Sequence, residues 1–140
     1  MFKILVLTHG RLGEELLESA RTIAGETPNV SALILDWSDS YETAREKVEN
    51  ALAELDNGDG VLILTDMYGG TPFNVARDLI QPGKTEMVTG VNLPMVLRLS
   101  CLEDAARDLA QAAEWIQGKG QKAICRCPGV PAPSEGSGRD

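Results

Sequence analysis

An α/β fold, an open and mostly parallel sheet with helices on both faces, is predicted by three observations on this sequence. Residues 3–8 (KILVLT), Val30–Leu35 (VSALIL) and Val61–Thr65 (VLILT) are almost wholly apolar runs, as expected of strands buried on both sides. Segments with helical spacing separate them, so successive strands are joined by crossovers and run parallel, with helices covering the sheet. The 140 residues, 43% of them hydrophobic, suit one domain with a single real core.

Each element follows from the chain in order. After the first strand, Leu12, Leu16, Ala20 and Ile23 fall on one helical stripe that Gly25 ends. Pro28-Asn29 marks a turn into the second strand, Val30–Leu35. Ser40 reads as an N-cap for a helix over Tyr41–Leu55, with Ala44, Val48, Leu52 and Leu55 on its apolar face. Asn57-Gly58-Asp59-Gly60 is a loop before the third strand, Val61–Thr65. Thr71-Pro72 opens a short helix, with Pro at a favoured early position. Residues 86–89 (EMVT) read as a short fourth strand. Residues 92–99 and 103–117 read as helical, with Leu102, Ala106, Leu109, Ala113 and Ile116 facing inward. Residues 122–127 (KAICRC) suit a last, edge-like strand. The domain is therefore expected over residues 1–127, and 128–140 (PGVPAPSEGSGRD), with almost nothing to bury, as a flexible tail or linker stub.

Charge and composition exclude several classes. There are 21 acidic against 13 basic residues, a net of −8. A nucleic-acid or anionic-membrane surface needs clusters of Lys and Arg, so no nucleic-acid partner is expected. No apolar run approaches the ~20 residues of a membrane span, so no direct membrane insertion is expected. The N-terminus has one Lys, a short apolar stretch and no small-residue cleavage site; it does not read as a signal peptide, and the expected location is cytoplasmic. Cys101, Cys125 and Cys127 are an odd count without disulfide spacing. They read as buried or idle thiols, and no metal or other cofactor is expected.

The chemistry is sought beyond the C-terminal ends of the strands, where open α/β sheets place their functional crevice. The single histidine, His9, directly follows the first strand, and Asp66 follows the third. If those strands are neighbours, the two side chains emerge together. A carboxylate accepting from one ring nitrogen fixes the tautomer and leaves the other nitrogen's lone pair free as a nucleophile. The pair alone fits a structural contact as well as a nucleophile. Gly69, Gly70 and Thr71 lie between a buried strand and a helix start, where glycines let an anion approach the backbone and free N–H groups point at it. They fit a phosphate cradle or a plain tight turn, with Thr71 as N-cap in both cases. Taken together, His9, Asp66 and the cradle suit a histidine that transiently carries a phosphoryl group. Met67, Tyr68, Phe73 and Pro94 suit an apolar docking rim or ordinary packing. Asn74 and Asn92 read as loop-shaping, Arg11 as a solvated first-turn residue, Asp36 and Asp39 as turn and cap residues, and Trp37 and Trp115 as packing or interface residues.

Competing chemistries lack their parts. A histidine phosphatase needs a second histidine, and Thr8 stands where its arginine would be. No Walker A loop, nucleophile elbow or dinucleotide-binding Gly-x-Gly-x-x-Gly occurs, and no acidic pair follows the first strand as in a receiver domain.

Three ordered motifs carry a more specific likeness: Thr8-His9-Gly10, then Asp66-x-x-Gly69-Gly70-Thr71-Pro72-Phe73-Asn74, then Gly90-Val91-Asn92-Leu93-Pro94-Met95. Over residues 2–127 the chain resembles the mannose-type enzyme IIA family, cytoplasmic components of the bacterial phosphoenolpyruvate-dependent sugar phosphotransferase system (PTS). The resemblance implies that His9 accepts phosphate from the phosphocarrier protein HPr, on the ring nitrogen remote from Asp66, and passes it to a IIB component. It also implies a homodimer in which the C-terminal strand, residues 122–127, is exchanged between copies, and it makes 128–140 similar to the linkers that lead into IIB domains. Two positions depart from the pattern. The usual Ser of the Gly-Gly-Ser-Pro-Phe-Asn motif is Thr71, and the usual Trp beside the glycines is Tyr68. Three other functions stay open: a regulatory binding module controlled by His9 phosphorylation without sugar transport, the phosphotransfer subunit of dihydroxyacetone kinase, and an α/β ligand-binding domain with an inert histidine.

Overall fold

A computed structural model describes residues 1–102 and 108–128. Among them the elements run β1 (Lys3–His9), α1 (Leu12–Ala24), β2 (Val30–Leu35), α2 (Tyr41–Leu55), β3 (Val61–Thr65), α3 (Thr71–Leu79), β4 (Thr85–Thr89), α4 (Leu93–Ser100) and α5 (Leu109–Lys122). The described strands form one all-parallel sheet in the order β2-β1-β3-β4. The two inner strands are the most apolar: every residue of β3 is buried, and so is β1 from Ile4 to Thr8. No described helix is long and apolar enough to cross a membrane.

Alternation along the inner strands divides the core into two layers. Ile4, Val6, Leu62 and Leu64 pack with Leu17, Met95, Val96, Leu109 and Ile116, which puts α1, α4 and α5 on one face. Leu5, Leu7 and Ile63 pack with Ala44, Val48, Val75 and Ala76, which puts α2 and α3 on the other. The strand order runs outward in opposite directions from β1 and β3. The switch point of the fold therefore lies between the C-terminal ends of these two strands.

The structure corrects four expectations. On α1, Leu12 is 48% and Ile23 64% exposed, while Gly13, Leu17 and Ala20 are buried. The helix start explains the rotation: the Thr8 hydroxyl, from inside β1, accepts the Gly13 N–H at 2.7 Å and turns that side inward. Thr71 is not the cap of α3; Gly70 is, and Thr71 is the first helical residue. The last helix begins behind Asp108, whose side chain forms a capping box with Gln111, rather than at residue 103. The predicted positions 103–107, Ala106 included, lie outside the described residues, as do 129–140 of the predicted tail. Finally, residues 122–127 form no strand within the single chain. Helix α5 runs on through Lys122, held in part by the Asn92 side-chain amide, which donates to Gly120 O at 3.2 Å, and residues 123–128 are exposed. A strand here has no ladder partner among the described residues, and β4 pairs with β3 alone among the described strands.

Candidate active site

The β1–β3 register, Leu7 beside Thr65, brings the residues that follow those positions together at the switch point. Asp66 Oδ2 accepts from the His9 backbone N–H at 3.1 Å and lies 2.8 Å from His9 Nδ1. Its other oxygen, Oδ1, accepts from the Met67 N–H at 3.0 Å. Two backbone donors thus aim the carboxylate, and the carboxylate aims the ring. An ionised carboxylate only accepts, so Nδ1 carries the proton and the lone pair is left on Nε2. Both side chains are largely shielded, His9 to 19% and Asp66 to 11% exposure.

The Nε2 edge of the ring faces the cap of α3. A Cβ on Gly70 would lie 2.5 Å from His9 Cε1 and 3.0 Å from Nε2. Gly70 has φ −79°, open to any residue, so the position requires the absence of a side chain rather than an unusual backbone. The first N–H groups of a helix have no acceptor within it. At the start of α3 they belong to Thr71 and Phe73, since Pro72 has none. Thr71 is exposed, and its hydroxyl is free to turn toward an anion at this helix end. Asn74 donates from its side chain to Gly69 O at 3.4 Å, which ties the glycine turn to α3. Gly69, Gly70 and Thr71 are thus assembled beside His9 and Asp66.

The remaining candidates divide. Met67 and Tyr68 are exposed beside the site, at 56% and 76%. Phe73, read as rim or packing, is buried at 7% exposure and supports the Tyr68 ring at a centroid distance of 4.4 Å. Pro94 is exposed at the start of α4, where Asn92 is the N-cap and accepts from Met95 N–H. Arg11 reaches Glu14 of its own helix and is 66% exposed. Asp36 and Asp39 close a turn on each other, with Asp39 N–H donating to Asp36 O at 3.0 Å. The three cysteines are free and exposed rather than buried.

One site residue was not legible in sequence. Trp37, in the turn after β2, stacks on the His9 ring with centroids 4.8 Å apart and planes 17° from parallel. The signal lay in the strand register: β1 pairs with β2 so that His9 stands beside Leu35, two residues before Trp37.

Comparison with known proteins identifies the family and the fold. The family model described as PTS system fructose IIA component (EIIA-man) matches residues 3–117. The mannose-specific EIIAB component of the PTS in Escherichia coli K12 is 38% identical over 102 residues, 72% of this chain and 32% of that protein. This chain therefore spans about a third of the length of that relative. The fructose-specific EIIA component of Bacillus subtilis 168 is 34% identical over 112 residues, 78% of this chain and 77% of that one. The mannose/sorbose-specific IIA subunit of Enterococcus faecalis superposes with a TM-score of 0.82 at 27% identity, over 96% of this chain and 98% of that chain. With most of its length matched by the family model and its site built on the sheet's switch point, the chain belongs to the mannose-type (EIIA-man) family of PTS IIA components.

Proposed function

We propose that this chain is a phosphoryl relay in which His9 Nε2 accepts phosphate from phosphorylated HPr and passes it to a IIB component, for sugar uptake or for its regulation. The observation that carries the proposal is the 2.8 Å contact between His9 Nδ1 and Asp66, which leaves Nε2 as the nucleophilic atom beside an edge that Gly70 keeps clear. In-line transfer between two histidines needs positioning and charge stabilisation rather than a redox or metal group. Asp66 holds the ring and balances its positive charge after phosphorylation. The N–H groups at the start of α3, with the Thr71 hydroxyl, offset the charge of the phosphoryl oxygens. Exposed Met67 and Tyr68 offer apolar area to a protein donor.

The domain on this proposal is residues 1–127, with 128–140 a tail or linker, and the chain works as a homodimer in which residues 122–127 add to the partner's sheet. That dimer gives the exposed segment and the β4 edge that no described strand covers a common purpose. The test is direct. Incubation with phosphoenolpyruvate, enzyme I and HPr adds one acid-labile phosphoryl group by intact mass, and His9→Ala adds none. An unmodified parent chain refutes the proposal.

A further inference from the structure

Trp37 is 78% exposed, so burial of apolar surface does not account for an indole at this place. Its placement is nevertheless built. The turn that carries it is closed by Asp39 N–H to Asp36 O and by Asp36 N–H to Asp39 Oδ2, both at 3.0 Å. Lys47, from α2, then fixes the Asp39 carboxylate at 2.6 Å. On the other side, Gly10 has φ +52°, and a Cβ there would lie 2.9 Å from the indole Nε1, so the residue after the histidine leaves the room that the indole fills. One indole face lies on the His9 ring, nearly parallel to it.

We propose that Trp37 is a positioning residue for phosphoryl transfer: its ring face fixes the plane of the His9 imidazole and stabilises the charge that the imidazole acquires. The inference rests on the phosphoryl-acceptor function proposed above. In the transfer, the Nε2 lone pair forms the new N–P bond while the bond from phosphorus to the donor nitrogen breaks. The donor ring, protonated on its other nitrogen, keeps the electrons of that bond and departs neutral. His9 loses no proton, because its Nδ1–H remains on Asp66. The His9 ring therefore turns from neutral to cationic as the bond forms, beneath the π face of Trp37. A cation over an aromatic face at an exposed site is worth about 0.5–1 kcal/mol. That corresponds to about 2- to 5-fold in an equilibrium or rate.

The test compares the parent with Trp37→Phe and Trp37→Ala in two measurements. Because His9 is the single histidine, its ring C–H resonances are unique in a ¹H–¹³C spectrum of the unphosphorylated chain. Loss of the indole ring current in Trp37→Ala should move them downfield, with Trp37→Phe between. Single-turnover transfer from phosphorylated HPr, followed at several donor concentrations, then gives a plateau rate, a half-saturating concentration and the final share of phosphate on the chain. The proposal expects Trp37→Ala to lower both the plateau rate and the equilibrium constant read from the final share by about 2- to 5-fold, and Trp37→Phe to restore most of each. A change confined to the half-saturating concentration makes Trp37 a docking contact and overturns the proposal. Unchanged His9 resonances in Trp37→Ala overturn the stack itself. A parent chain that takes no phosphate, while its His9 resonances respond as described, refutes the acceptor function instead and takes the proposal with it.

Discussion

Replacing Gly70 by alanine sets a methyl carbon 2.5 Å from Cε1 and 3.0 Å from Nε2 of His9, where ordinary contact begins at 3.4 Å. The ring must therefore move by about 1 Å, against the 2.8 Å hydrogen bond to Asp66 on one edge and the Trp37 stack on its face. A displacement of ~1 Å from the productive geometry lowers a transfer rate by about 10²-fold, close to 2.7 kcal/mol in the barrier. Stability should respond far less. The backbone at this position, φ −79° and ψ 176°, accepts alanine without strain. The entropy that alanine removes from the unfolded chain, about 0.4–1 kcal/mol, is offset by its poorer performance at an N-cap. Single-turnover phosphorylation by phosphorylated HPr, with urea unfolding alongside, reads both quantities. A Gly70→Ala chain that accepts phosphate within threefold of the parent, while folding normally, refutes the assignment of the Nε2 edge as the reacting edge.

Further expectations follow from the same contacts. Asp66→Asn must turn an amide N–H either toward His9 N and Nδ1 or toward Met67 N, all of which now face acceptors. In the first orientation it drives the ring proton to Nε2, and transfer should fall by ~10²–10⁴-fold with the fold intact by circular dichroism. Thr8→Val strips the Gly13 N–H of its buried 2.7 Å acceptor and should lower unfolding free energy by about 1–3 kcal/mol. Thr65→Val should be neutral or stabilising, because Thr65 Oγ1 is buried without a hydrogen-bond partner among the described residues; equal losses in the two variants would contradict this accounting. The Lys47 ammonium, hydrogen bonded to Asp39, holds that carboxyl below its ordinary range. A carboxyl with a depressed folded-state pKa stabilises above its unfolded value near 3.9 and loses that contribution as pH falls through the folded one. Parent and Asp39→Asn should thus differ in urea midpoint at neutral pH and converge in strong acid.

Elements whose pattern is local were legible in the sequence. Val30–Leu35, Tyr41–Leu55 and Val61–Thr65 run as read, and Ser40 accepts from Thr43 N–H as the expected cap of α2. Where tertiary contacts decide, the reading failed. Leu12 and Ile23 keep a helical spacing with Leu16 and Ala20, yet a hydroxyl on the neighbouring strand sets which side of α1 faces inward. The last helix, read as ending at Gln117, continues through Lys122, with Gly120 O engaged by the Asn92 amide. The KAICRC segment has strand composition but no partner strand among the described residues, which a single sequence does not reveal.

The candidate site shows the same division at atomic scale. His9 and Asp66 could be paired in advance because each directly follows an apolar run and parallel α/β sheets gather such residues at one end. The Gly-Gly-Thr turn was legible as a backbone approach to an anion or a tight turn, but not the contact that Gly70 makes with the histidine ring. Gly70 has an ordinary φ, so neither propensity nor turn chemistry reveals that its missing side chain makes room for an imidazole edge. Trp37 was less legible still. Its partner lies in another strand, and their meeting depends on His9 standing opposite Leu35 rather than a residue to either side. A one-residue slip of β2 would turn its alternating faces over and carry Trp37 away from the ring. The pairing of β1 with β2 therefore does more than extend the sheet: the β1–β3 register places the carboxylate at the edge of the imidazole, and the β1–β2 register places the indole on its face.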